Sequence, residues 1–310
     1  MTEQEQQEQL KLIEDFAKEK LDLERIIFYA KSLRIPKENL EAWSTSFGIP
    51  GITWPYAHDW QRKFSYPFEE YDFDKFKTVI YHILYAGNQG GKSVAISNWV
   101  MMECLGIHPL QEDGFRPKPP VHWWIVSPNL PSESDVPKGE DAPILKTIYE
   151  WIPDASDGTH GIVKFYRKDK LMLIRSAEGV ESVVNFKSHD QEKNKFKGEK
   201  LDGIAWDEMP PYDLWREGIP RILSRKGIFL LGMTPDYSSI WTSDLVRKRD
   251  EPEYRILEMD SLENPFMPVE HRKRVLATMS EDELLMRRFG KHIQFKGKVF
   301  PFDYHKHVGK

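Results

Sequence analysis

The stretch AGNQGGKS, residues 86–93, decides the fold of this chain. An apolar run, Val79–Tyr85, precedes it, and a helix-compatible stretch, Val94–Met101, follows it. A strand, a glycine-rich turn and a helix N-terminus in this order form a phosphate cradle, because the backbone N–H groups converge where the helix dipole also favours negative charge. The predicted cradle consists of Ala86, Gly87, Asn88, Gln89, Gly90, Gly91, Lys92 and Ser93.

Two side chains at the end of this cradle predict a nucleoside triphosphate site. Lys92 would reach the β- and γ-phosphates, and the Ser93 hydroxyl would hold Mg²⁺, as in the P-loop motif. Ala86 stands where that motif usually has glycine, and a tight turn often accepts so small a residue. A chance Gly-Lys-Ser turn at a helix start is the alternative, and the strand and helix on either side favour the nucleotide.

A pair of adjacent carboxylates follows a second apolar segment, in LDGIAWDEMP at residues 201–210. Asp207 can hold Mg²⁺ through its water shell, and Glu208 can polarise a water for in-line attack on the γ-phosphate. An acidic turn after a strand is the common alternative. Together with the P-loop, the pair indicates an ATPase of the additional-strand class, which includes motors and helicases, rather than a nucleotide kinase.

A third apolar run, GIFLLGMTP at residues 227–235, ends in a hydroxyl residue. If its strand lies next to the P-loop strand in a parallel sheet, Thr234 lies at the carboxyl edge, where ligands bind in open α/β sheets. A small polar residue there can sense the γ-phosphate and pass its loss to the next segment. The order of the three segments is much more specific than any one of them.

These three segments together resemble the ATPase half of a phage terminase large subunit. The resemblance extends to Trp60-Gln61, to SLENPFMP at 261–268 and to FKGKVFPFDYHKHV at 295–308. It implies ATP hydrolysis that pumps double-stranded DNA into a preformed capsid. The roles that it implies are Gln61 near the adenine, Lys92 and Ser93 on phosphate and metal, Asp207 on metal, Glu208 as catalytic carboxylate and Thr234 as coupling residue.

The resemblance also implies cofactors and partners. The cofactors are ATP and Mg²⁺, and the partners are double-stranded DNA bound without sequence preference, a portal protein, a small terminase subunit and further copies of the chain in a ring. Two expected arginines are replaced. Asn88 stands in the P-loop, and Lys197-Gly198 stands where a neighbouring subunit's site would use an arginine. Lys197 is therefore a candidate trans-acting positive charge, and the alternatives are Arg167, Arg175 and Arg221.

The composition fits a cytosolic protein, and the resemblance implies the host cytoplasm. Of its 310 residues 40% are hydrophobic and 30% charged, and a single cysteine, Cys104, excludes an internal disulfide framework. No apolar stretch approaches the roughly 20 residues that span a bilayer. The net charge of −5 does not favour DNA, but basic clusters such as 187–200 and 247–249 permit local phosphate contacts.

The fold class predicted from these features is α/β: a RecA-like P-loop NTPase of the additional-strand class, with a mainly parallel sheet flanked by helices. Residues 1–50 are predicted to form an N-terminal helical section, 51–260 the ATPase core with a β insertion at about 160–187, and 261–310 a small helical C-terminal subdomain. That last segment would lead toward a nuclease domain, and no DNA cleavage is expected from this chain.

Two other functions stay open on the sequence alone. One is a helicase-like, DNA-stimulated ATPase, although helicases usually have a second RecA-like domain. The other is a non-catalytic assembly protein in which the nucleotide controls oligomerisation with little turnover. Lys92, Asp207 and Glu208 are all present and favour hydrolysis.

Overall fold

The computed structural model describes residues 77–87, 90–112, 114–128, 144–145, 148–149, 152, 155, 158, 160–176, 178–235, 240–263 and 269–290. Several predictions fall outside these residues and stay predictions. They are the helical section 1–50, Gln61, Asn88, Gln89 and the segment 295–308.

The described residues form one eight-stranded sheet, whose order is β3-β4-β5-β2-β6-β7-β1-β8. The strands are β1 Tyr81–Ala86, β2 His122–Ser127, β3 Gly161–Tyr166, β4 Leu171–Arg175, β5 Glu181–Ser188, β6 Gly203–Asp207, β7 Ile228–Met233 and β8 Tyr254–Met259. The six strands from β5 to β8 in this order pair in parallel, and β3 and β4 pair antiparallel. The predicted fold class is confirmed.

Strand β7, which ends directly before Thr234, is the additional strand of this fold class. β7 lies between β1 and β6 and pairs in parallel with both, with Gly232 opposite Leu84 on one side and Asp207 on the other. Every residue of β6 and β7 is buried, as expected for central parallel strands covered on both faces. The carboxyl ends of β1, β6 and β7 therefore meet at one edge of the sheet.

Helices cover both faces of the sheet. They are α1 Lys92–Leu105, α2 Pro109–Glu112, α3 Tyr212–Leu223, α4 Ile240–Arg247, α5 Val269–Leu276 and α6 Glu281–Phe289, with short 3₁₀ helices at Lys193–Phe196 and Ser261–Glu263. Alternate residues of the central strands β1, β2, β6 and β7 enter two separate cores. Ile96 and Trp99 of α1 belong to one core, and Leu214 and Trp215 of α3 belong to the other.

The meander β3-β4-β5 forms one edge of the sheet. The sequence predicts strands at these places as an insertion into the core. In the structure β5 also pairs in parallel with β2, from His122 opposite Val183 to Ser127 opposite Ser188, so the meander extends the main sheet. The domain boundaries at 50 and 260 stay predictions.

Helices α5 and α6 lie within residues 261–310, where the sequence predicts a small helical subdomain. Ser280 caps α6 in a capping box, with its hydroxyl accepting from the Glu283 amide and the Glu283 carboxylate accepting from the Ser280 amide. Among the described residues, no helix has both the length and the apolar character needed to cross a membrane.

Candidate nucleotide-binding site

The turn between β1 and α1 has the backbone of a phosphate-binding loop. Gly91 adopts a left-handed conformation, with φ of 86°, directly before the first residue of α1. This conformation is strained for residues with a Cβ, so glycine fits here. A Cβ at Gly90 would come within 3.1 Å of the Ala86 Cβ and of the Gly87 carbonyl oxygen. The loop is therefore closely packed, and the Gly90 amide closes it on the Gly87 carbonyl at 3.2 Å.

The Lys92 ammonium lies at the centre of the site. It donates to Thr234 Oγ1 at 2.8 Å, to the Gly87 carbonyl at 3.2 Å and to the Ala86 carbonyl at 3.4 Å. Glu208 Oε1 lies 3.6 Å away. The residue is 5% exposed, so its charge is desolvated and held by these oxygens. One ammonium therefore joins the P-loop, the Asp-Glu segment and the Thr234 strand.

Ser93 and Asp207 form the candidate metal site. The Ser93 hydroxyl donates to Asp207 Oδ1 at 2.7 Å, although the two residues are 114 positions apart in the sequence. Burial raises the pKa of Asp207 to about 6, the Ser93 hydrogen bond opposes that rise, and the negative charge of Glu208 adds to it. A carboxylate whose charge is disfavoured by burial gains stability from an adjacent cation, and hydroxyl and carboxylate oxygens are the donors that Mg²⁺ takes. These two residues fit Mg²⁺.

Glu208 has a left-handed backbone, with φ of 67°, which is uncommon for a residue with a side chain. Its amide donates to the Gly232 carbonyl at 2.8 Å, and its carboxylate Oε2 accepts from the Thr234 amide at 3.1 Å. The side chain is 41% exposed, whereas the Lys92 side chain beside it is 5% exposed. The carboxylate is thus fixed at the mouth of the site with access to water.

Thr234 lies at the carboxyl end of β7, between the ends of β1 and β6, where the sequence places it. It contacts both charged partners, through its hydroxyl to Lys92 and through its amide to Glu208. Its proposed coupling role stays a prediction.

The candidate trans-acting charges lie elsewhere. The exposed Lys197 donates to Asn194 Oδ1 at 3.0 Å, Arg175 pairs with Glu181 at 2.7 Å, and Arg221 lies 3.6 Å from Glu217. Arg167 is exposed in the turn between β3 and β4. Within the described residues, no hydrogen bond or ion pair joins any of these four to Lys92, Asp207 or Glu208. A role in a neighbouring subunit's site stays a prediction.

Sequence reasoning missed the elements on the other side of the loop. The last turn of α6 packs directly on the P-loop entry, because a Cβ at Gly87 would overlap the Arg287 carbonyl oxygen and one at Gly290 would come within 2.6 Å of the Ala86 nitrogen. Gly290 is visible in the sequence as a helix C-cap. Nothing in the sequence says which part of the molecule that cap contacts.

The comparisons with known proteins agree with this geometry. No protein-family model matches the chain. Over 136 residues, or 42% of its length, the chain is 26% identical to the terminase large subunit of Salmonella phage P22. The large terminase of a thermophilic bacteriophage superposes on 76% of the chain with a TM-score of 0.57 and 14% identity. This chain is similar in part of its sequence to one phage terminase large subunit and in its fold to another.

Two nucleotide complexes of the same thermophilic phage terminase are also similar to this chain in fold. Its complex with ADP matches 74% of the chain with a TM-score of 0.54 and 14% identity, and its complex with ATP-γ-S matches 74% with a TM-score of 0.52 and 14% identity. The chain spans 53% of the thermophilic phage terminase and 27% of the Salmonella phage subunit in these matches. The resemblance predicted from the sequence is confirmed.

Proposed function

We propose that this chain is the ATPase motor domain of a viral terminase large subunit, acting in the host cytoplasm to drive double-stranded DNA into a procapsid. The observation that carries the proposal is the convergence of Lys92, Asp207, Glu208 and Thr234 from three strand ends on one glycine-rich loop. The complexes of the thermophilic phage terminase with ADP and ATP-γ-S support a nucleotide as the ligand of that loop.

In the proposed site, phosphate binding depends on the loop and Lys92. Backbone amides at the start of α1 are the proposed donors to phosphate oxygens, and Lys92 supplies the positive charge. Ser93 and Asp207 hold Mg²⁺, which when bound neutralises charge that develops on the β- and γ-phosphates. The Ser93–Asp207 distance of 2.7 Å supports this assignment, because both donors already lie together.

Glu208 is the proposed general base. Its carboxylate orients the attacking water and takes its proton, while Lys92 stabilises the negative charge that spreads over the transferred phosphoryl group. Glu208 lies 3.6 Å from the Lys92 ammonium, and a bound γ-phosphate competes for that ammonium. Substrate binding therefore frees the Glu208 carboxylate for its water.

Thr234 is the proposed coupling residue. Its hydroxyl on Lys92 and its amide on Glu208 make its position depend on what occupies the site. The chain continues from Thr234 toward α4, and the Tyr85 hydroxyl of β1 donates to the Thr242 carbonyl in that helix at 3.2 Å. Strand β1 is therefore linked to the segment that follows Thr234, which gives the loss of phosphate a route to the rest of the domain.

The assembled motor requires partners. Double-stranded DNA binds through sequence-independent phosphate contacts, which weaken steeply with salt. A portal protein, a small terminase subunit and a ring of copies complete the machine, and Lys197 of one copy is the candidate positive charge for its neighbour's site. Mixing a Lys197→Ala chain with a Lys92→Ala chain tests this role, because a trans-acting residue permits partial recovery of activity in the mixture.

Phosphate release from ATP tests the catalytic assignment. The native chain is expected to hydrolyse ATP, and Glu208→Gln to bind ATP normally with turnover lowered about 10²- to 10⁴-fold, because the amide cannot take the proton. Glu251→Gln, at an exposed position paired with Lys248, is the matched control and should leave turnover unchanged.

Equal turnover in the native and Glu208→Gln chains, or none in either, would show that the assignment is wrong. Adding DNA then separates the functions. Stimulation by double strands supports packaging, stimulation by single strands alone supports a helicase-like ATPase, and nucleotide-dependent assembly without turnover supports an assembly protein.

A further inference from the structure

The strand order indicates on which side of the P-loop strand each end of a bound nucleotide lies. Asp207, Glu208 and Thr234 all come from β6 and β7 or the residues that directly follow them, so the metal and the attacking water belong to that side of the P-loop strand. The opposite neighbour of β1 is β8, with Ala86 paired to Met259. The γ-phosphate and the nucleoside are at opposite ends of a nucleotide. If the γ-phosphate lies on the side of β6 and β7, the ribose and base extend toward β8.

The last turn of α6 is the element that stands on the β8 side. Helix α6 contacts β1 and β8, and the carbonyl groups of its last turn approach Gly87 so closely that only glycine fits there. The Gly290 amide closes the helix on the Met286 carbonyl at 2.9 Å. This turn is therefore fixed against the entry of the P-loop.

An ion pair anchors this turn to the sheet. The Arg288 guanidinium donates to both oxygens of Asp260, with Nε at 3.1 and 3.0 Å and Nη2 at 2.8 Å. Asp260 directly follows β8 and also accepts from the Leu262 amide at 2.9 Å. A fork-shaped pair of this kind fixes the plane of the guanidinium as well as its position.

A second planar group lies beside the first. The Arg288 guanidinium carbon lies 4.4 Å from the centroid of the Phe289 ring, and both side chains are half-buried. Planar guanidinium and aromatic groups are the side chains on which nucleic-acid bases stack. Arg288 and Phe289 lie on the β8 side of the loop, where the nucleoside is expected.

We propose that the last turn of α6 is the nucleoside-binding wall of this site, with Arg288 and Phe289 contacting the base and ribose and Asp260 positioning Arg288. The proposal rests on the proposed ATPase function. It adds a part of the site that the sequence motifs do not contain.

Comparing ATP with inorganic tripolyphosphate tests the wall, because tripolyphosphate occupies the loop but has no nucleoside. The affinity of the whole chain for each ligand is measured by titration calorimetry with Mg²⁺. Arg288→Ala and Phe289→Ala are each expected to weaken ATP about tenfold and to change tripolyphosphate less than about twofold, as the loss of one stacking contact implies. Lys92→Ala should weaken both ligands, since it acts on the phosphates.

Two further variants complete the design. Arg274→Ala, at an exposed position on α5, removes the same charge from the same region and should leave both affinities unchanged. Arg288→Lys keeps the pairing charge with Asp260 but lacks the planar fork, so it should fold and still weaken ATP selectively. Thermal melting confirms that each variant is folded.

Equal weakening of ATP and tripolyphosphate in the Arg288 and Phe289 variants would overturn the proposal, since it would show that the turn only shapes the loop. Unchanged ATP affinity in both would overturn it as well. Failure of the native chain to bind either ligand would instead overturn the proposed function, and the wall with it.

Discussion

At the edge where the parallel strands begin, Glu103 and Arg116 form a buried ion pair, whereas at the edge where they end, Lys92 and Asp207 are buried beside the part-exposed Glu208. Helix α1 joins the two edges, with Lys92 in its first turn and Glu103 in its last. The comparison shows how one helix carries buried charge for two different purposes.

The charges at the first edge have their partners within the chain. Glu103 accepts from Arg116 at 2.7 and 3.0 Å and from the indole nitrogens of Trp99 and Trp123 at 3.0 and 3.2 Å. Arg116 also donates to the Asp202 carbonyl at 2.6 Å. These bonds tie α1 to the loops that begin β2 and β6, so the network is structural.

The charged groups at the second edge can change partners when a ligand binds. The Lys92 ammonium contacts two carbonyls, a hydroxyl and a carboxylate. Burial raises the pKa of Asp207 to about 6. A buried charge alone therefore does not identify a functional site. The useful signal is a buried charge that an additional ligand would stabilise.

The largest expected effect on stability comes from breaking the closed network. Arg116→Met leaves the Glu103 carboxylate buried and uncompensated, which should lower the free energy of unfolding by about 3–5 kcal/mol. Arg247→Met removes an exposed arginine that pairs with the exposed Asp244, and should cost below about 1 kcal/mol. Chemical denaturation measures both, and equal losses would contradict the distinction.

An intermediate effect of opposite sign is expected at the second edge. Asp207→Asn removes a desolvated charge and should raise the free energy of unfolding in the absence of metal by up to about 3 kcal/mol, at about 1.4 kcal/mol for each unit between 3.8 and about 6. The same variant should lose Mg²⁺-dependent turnover. Asp244→Asn, on an exposed side chain, is the control and should change neither.

The pH dependence of this gain follows from the direction of the pKa shift. Between 3.8 and about 6 the folded chain keeps a proton on Asp207 that the unfolded chain has lost, so the native stability from this group is present below 3.8 and falls as pH rises through about 6. The difference between Asp207→Asn and the native chain should therefore grow across this window and level off above it. A constant difference in chelator at every pH would refute this account.

The smallest expected effect tests how β7 positions Lys92. A Cβ at Gly232 would come within 2.6 Å of Ile96 Cδ1 and 3.2 Å of Lys92 Cβ, so Gly232→Ala should cost about 1–2 kcal/mol and raise the KM for ATP. Gly218 lies in α3 on the other face, where a Cβ would come within 3.0 Å of Ile204 Cδ1 and 3.2 Å of Phe229 Cζ. Gly218→Ala should therefore lower stability without changing the KM for ATP. An unchanged KM in the first variant would separate β7 packing from the site.

Much of the site was predictable, because its parts are local. The glycine-rich turn and the Asp-Glu pair each depend on residues close together in the sequence, and both lie at the ends of strands, where the sequence places them. The less predictable parts depend on which strand pairs with which. The meander is an example, since only the pairing of β5 with β2 makes it part of the main sheet.

The sequence by itself determined the class of site, since phosphate binding needs particular residues in one short loop and chain order places the carboxylates and Thr234 after it. Only the tertiary structure decided how these parts face one another. Strand pairing brings Ser93 to Asp207 across 114 residues, and packing sets the turn of α6 against Gly87. Such contacts depend on distances through space, which no local pattern in the sequence encodes.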